Sequence, residues 1–165
     1  MKKGYSLIEL LLYVGLSATI ISAITVFFYF VSFTKTKIQT ISEVENEGQT
    51  VVEIISQNIR NAKKVNLPNL GESGAVLSLQ AANPDEDPIV FSLEAGRIKM
   101  QKGGSIEFFL TSDRLEVLNL TFRNLSNATS KATIRAEFSL RYKNPAQRAE
   151  FDWQKNFYTT ANLRI

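Results

Sequence analysis

Few residues in this chain have the means to do chemistry, and the most isolated of them is one carboxylate. Glu9 stands in "KKGYSLIELLLYVGL", after Lys2, Lys3 and Gly4 and directly ahead of residues 10–34, which hold 25 residues and no charge. A carboxyl carried deep into hydrocarbon costs about 2.5–3.5 kcal/mol on insertion scales. An acid held at the head of such a run must either snorkel to the interface or meet a partner that offsets its charge.

The other titratable groups form no reaction centre. Glu107, Asp113 and Glu116 are near one another in sequence, but nothing aligns them as a general acid and base. Asp85-Glu86-Asp87 offers the oxygens that calcium prefers. Its spacing is not that of an EF-hand, however, and Pro84 and Pro88 on either side suit a solvated hairpin tip. The chain has no cysteine and no histidine. That removes disulfides, thiol chemistry, the usual general base and the commonest metal ligand. There is no nucleotide loop, metal-spacing cluster or nucleophile motif. The expectation is a non-enzyme with no catalytic residues, no metal and no cofactor. Asn119-Leu-Thr121, Asn124-Leu-Ser126 and Asn127-Ala-Thr129 match glycosylation acceptors, a triplet that chance produces often in such sequence. Trp153, in "EFDWQKNF", is expected as a rim or core aromatic, with contact to a neighbouring subunit as the sharper alternative.

These residues must be positioned by elements of two kinds. Overall the chain is 44% hydrophobic and 21% charged, which reads as globular, but the apolar residues are concentrated in residues 10–34. About 20 apolar helical residues span a bilayer, so this run is long enough. Phe27, Phe28, Tyr29, Phe30 and Phe33 with Lys35 and Lys37 mark an interface at its far end. The core is too long for a cleaved secretory signal and lacks the small-residue site that should follow one.

No proline precedes Pro68, and the helix is expected to continue beyond the membrane. Ile38, Ile41, Val44, Val51, Val52, Ile55, Ile59 and Ala62 recur at helical spacing, and Glu43, Glu45, Glu47, Glu53, Gln57 and Arg60 form the opposite face. Lys63 and Lys64 suit a last turn, and Asn66 with Pro68 a stop. Gly48 interrupts the stripe, marking either a close approach or a bend. Residues 5 to 64 as one helix would extend on the order of 90 Å.

After Pro68 the period changes. "AVLSLQ", "PIVFSL", "RIKMQK" and "SIEFFLT" are short apolar-alternating runs separated by Gly, Asn and Pro, with "NLGESG" as a loop. "SDRLEVLNLTFRNLS", opened by a short turn at Asp113, "KATIRAEFSLRYKN" and "NFYTTANLRI" read as further strands. The fold class is α+β: one long helix, then an antiparallel sheet. The expected divisions are residues 1–4, 5–34, 35–66 and 67–165.

The charge does not suggest a nucleic-acid binder. Net charge is +3, with Lys2 and Lys3 supplying two of the three. A local excess of nine Lys/Arg over four Asp/Glu lies between residues 97 and 143, and is expected to be a solvated sheet face.

The N-terminal stretch resembles the class III signal of the type IV pilin and pseudopilin family: a short basic leader ending in glycine, then an apolar helix with glutamate fifth after the cut. Met1-Lys2-Lys3-Gly4 matches the leader and Glu9 the glutamate. The resemblance implies cutting between Gly4 and Tyr5 by a membrane prepilin peptidase, and N-methylation of Tyr5. It implies partners too: sister pilin subunits packed helix to helix, an assembly platform with its ATPase, and membrane lipid. The expected location is the inner membrane, single pass with the C-terminal domain outside the cytoplasm, and then a pilus or pseudopilus. After cutting, the Tyr5 amine would start the helix and Glu9 would lie one turn along. A neighbour's amine can then pair with Glu9, which makes that acid a selector of register. "ISQNIRNAKKV", "LNLTFRNLS" and "FYTTANLR" look like minor pilins or J/W-type minor pseudopilins. The family often has proline where this chain has Val26, and its disulfide-closed loop is missing here. The alternatives are a pseudopilin of a type II secretion system, a DNA-uptake pilin, and a plain membrane-anchored receptor domain.

Overall fold

A computed structural model describes residues 6–127 and 132–164. One helix, α1, runs Leu7–Asn61. By contacts the chain divides into two units, Met1–Gln39 and Thr40–Ile165. Among its described residues the first contributes Ser6 and the helix from Leu7 onward.

In the second unit α1 is amphipathic. Thr40, Val44, Gly48, Val51, Ile55 and Ile59 are buried at steps of three and four that place them on one face, with Ser56 buried beside Ile55. Arg60 sits in the last turn, where a cation meets the unpaired carbonyls. The helix stops earlier than the sequence implied. Ala62 N–H donates to Ile59 O, and Lys63 N–H donates to Gln80 O at 2.9 Å. That second bond joins the backbone to a strand, so Lys64 opens β1 (Lys64–Leu67) rather than completing a helical turn.

The expected single sheet is in fact two, both antiparallel. The first has the order β1-β3-β4-β5-β6, with β3 Leu77–Gln80, β4 Ile89–Glu94, β5 Arg97–Lys102 and β6 Ile106–Phe109. The second has the order β2-β7-β8-β9, with β2 Ser73–Gly74, β7 Leu115–Asn124, β8 Thr133–Tyr142 and β9 Gln154–Asn162. Alternation decides what each strand buries. Leu77, Leu79, Phe91 and Ile98 come from one sheet and Leu115, Phe122, Ile134, Phe138 and Leu140 from the other; with Val51, Ile55 and Ile59 of α1 they form one core. Each such side chain contributes about 1.5–3 kcal/mol on burial.

Gly48 resolves as a close approach. A Cβ there would overlap the ring of Phe157 on β9, and Phe157 stacks on Phe138 at 5.3 Å. Ser56 and Thr159 share a hydrogen bond of 2.8 Å nearby. Three helix acids add polar ties. Arg114 Nε lies 2.8 Å from Glu43 Oε1, Lys155 Nζ lies 2.7 Å from Glu45, and Ser112 N–H donates to Glu47 at 2.9 Å.

Candidate functional site

In the first unit α1 has an apolar surface with nothing of its own to cover it. Every residue from 6 to 32 is exposed. Leu7 is 79% exposed and Leu12 65%, within a contiguous run of exposed apolar residues, and a patch of that extent marks a membrane or protein contact. The helix is long and apolar enough to cross a membrane. Its hydroxyl residues do not oppose that reading. Ser17 donates to Tyr13 O at 2.7 Å, Thr19 to Leu16 O at 2.8 Å, and Thr25 to Ile21 O at 2.9 Å. Each donor is satisfied inside the helix, as an apolar surrounding demands. Gly15 leaves open space where a Cβ would stand. Phe27, Phe28, Tyr29 and Phe30 are all exposed, with Phe27 and Phe28 edge to face at 6.2 Å.

Glu9 is an exposed acid in the first turn. Its own N–H and that of Leu10 donate to Ser6 O at 3.0 and 3.2 Å. Ser6 and Glu9 have the spacing of a capping box, a feature the sequence reading passed over although "S-x-x-E" announces it. Among the described residues, however, the Glu9 carboxylate has no hydrogen bond or ion pair. It stands near the unpaired N–H groups of the helix start, where negative charge is favoured. Gly4 and Tyr5, the expected cleavage and methylation positions, lie outside the described residues.

The remaining candidates are not brought together. Glu107 neighbours Lys99 and Glu116 pairs with Arg141, in separate strands. Glu94, then Glu107, hold the Lys99 ammonium above its ordinary pKa. In the acidic loop, Asp87 accepts from Ala81 N–H at 2.8 Å and Glu86 pairs with Lys102 at 3.0 Å. Among the described residues no group of three His, Cys, Asp or Glu is placed to hold a metal. Asn124 is buried and donates to Pro68 O at 2.8 Å, so its side chain is committed inside the fold and is no glycan acceptor. Asn119 is exposed, and Asn127-Ala-Thr129 extends outside the described residues. Trp153 is half-buried against the core. Much of the basic excess is neutralised locally: Lys99, Lys102, Arg114, Arg135 and Arg141 each face a carboxylate.

A long, partly apolar N-terminal helix followed by antiparallel sheet is a pilin-like fold in general terms. Comparison with family models, with curated proteins and with solved structures finds no match.

Proposed function

We propose that this chain is a structural subunit of a type IV pilus-type filament, made as a membrane-inserted precursor and assembled through α1. The observation that carries the reading is the unbroken exposed apolar surface over residues 6–32, with Glu9 as its one acid. Such a surface is stable in lipid before assembly and among sister helices after it. Small residues at Gly15, Ser17, Ala18, Ser22 and Ala23 allow close helix approach. Trimming between Gly4 and Tyr5 by a prepilin peptidase, then methylation of Tyr5, frees a cationic amine one turn from Glu9. A neighbouring subunit's amine then neutralises that carboxylate. An assembly platform and ATPase supply extraction from the membrane. The leader faces the cytoplasm and the sheet unit lies outside it. The same apolar helix and lone acid serve a secretion pseudopilus equally, and genomic neighbours distinguish the two.

Intact-mass analysis of the membrane-extracted protein tests the reading. The expected mass lacks Met1 to Gly4 and carries one added methyl; retention of the leader overturns the proposal. Glu9→Val is expected to leave cutting unchanged and to reduce filament incorporation at least tenfold. Incorporation equal to the parent chain removes the pairing role from Glu9.

A further inference from the structure

The outer face of the second sheet holds an arrangement that the fold itself does not need. Arg123 on β7 and Arg135 on β8 are directly opposite one another, and both are exposed. Like charges at such a position destabilise a sheet. Arg135 is compensated by Glu137 at 2.5 Å. Among the described residues Arg123 bonds a hydroxyl, Ser73 Oγ, at 3.2 Å, and no acid pairs with it. The next residue row carries Tyr158, 73% exposed.

The complementary charge lies on the same chain. In the loop before β4, Lys102 offsets Glu86, while Asp85 is exposed and holds no ion pair among the described residues. The loop is built firmly. Asn83 Oδ1 accepts from Asp85 N–H, and Gly103 N–H donates to Glu86 O at 3.1 Å. Gly103 has φ +58, and a Cβ on it would strike the Asp85 carbonyl.

Both features lie beside the end of α1, on different sides. Asn58 and Asn61 share a groove with Asn83 and Glu86. Arg60 borders Thr160, and Thr160 stands across from Arg135. At 3.6 residues per turn Arg60 is about 200° around the helix from Asn58. One subunit therefore carries an acid in a loop beside one flank of the end of α1, and arginines in a sheet whose last strand borders another flank. Two different complementary patches on one chain make a head-to-tail contact, which propagates instead of closing as a dimer.

We infer that the Arg123/Arg135 face receives the Asp85 loop of a second copy of this chain, as a lateral contact between neighbouring sheet units. This rests on the filament reading above and adds to it the surface that sets side-by-side order. Because the chain has no cysteine, engineered thiols test it against a clean background. The full-length Ala82→Cys/Tyr158→Cys variant keeps Asp85, Arg123 and Arg135 and places thiols beside them, on exposed positions of the loop and of the sheet face; treated in its membranes with a short bis-maleimide, it is expected to give a ladder extending past dimer on a denaturing gel. Each single variant is expected to remain monomeric. A companion Ala18→Cys variant reports helix-to-helix packing. If Ala18→Cys links copies and the double variant gives no ladder, the lateral contact is wrong while the filament reading stands. If neither links, the filament reading fails and this contact with it. Dimers from either single variant show a symmetric or random encounter and overturn the head-to-tail contact. Links from Ala82→Cys to a different protein overturn the assignment of the occupant.

Discussion

The same helix is solvated by two different means. Over Leu7 to Gln39 its apolar residues point in every direction, and from residue 6 to 32 none is covered. From Thr40 to Asn61 the apolar residues narrow to one stripe, and Val44, Val51, Ile55 and Ile59 are fully buried. Helix propensity does not separate the halves. What separates them is where the buried surface comes from: the chain's own sheets for the second, lipid or sister helices for the first. Burial within a chain stabilises a fold, and burial reserved for outside it encodes an environment.

One substitution placed in each half breaks this symmetry most sharply. Ile55→Asp puts an unpaired charge into the core, and a loss of about 3–5 kcal/mol is expected, read as collapse of the cooperative thermal transition. Ile20→Asp is expected to leave that transition unchanged and to reduce membrane insertion, by about 2.5–3.5 kcal/mol on insertion scales. Fractionation of the membrane and the melting curve together check the pair; equal melting curves for both variants would erase the contrast. A smaller effect sharpens it. Gly48→Ala drives a Cβ into the Phe157 ring, and about 1–3 kcal/mol of destabilisation is expected from overpacking. Gly15→Ala meets open space and is expected to leave the melting temperature of the sheet unit unchanged. The smallest effect is Lys155→Met. Its pair with Glu45 is half in solvent, 38% and 42% exposed, so at most about 1 kcal/mol is expected in denaturant titration.

The pattern residues made part of this legible in advance. β8 was plain because Ile134, Ala136, Phe138 and Leu140 alternate with polar residues over a long run. Gly48 announced a close approach, but the partner, Phe157, is remote in sequence and no local pattern names it. β1 escaped notice because its four residues are mostly exposed, which erases alternation, and β2 has only two residues. The division into two sheets is a matter of long-range register that turn chemistry does not specify. In the candidate site, Glu9 and the apolar run were evident from composition and charge. The Arg123–Arg135 juxtaposition was not, since it exists only once β7 and β8 are paired.

The trio Glu43, Glu45 and Glu47 has a mechanical consequence. These acids fasten α1 to Arg114, Lys155 and Ser112 within five residues of helix. Tension drawn along the helix into the sheet unit meets several fastenings side by side, so they share the load and yield together rather than peeling singly. Optical-tweezer extension is expected to show one abrupt rupture for the parent chain. With Glu43, Glu45 and Glu47 all changed to glutamine, a lower and more gradual release is expected.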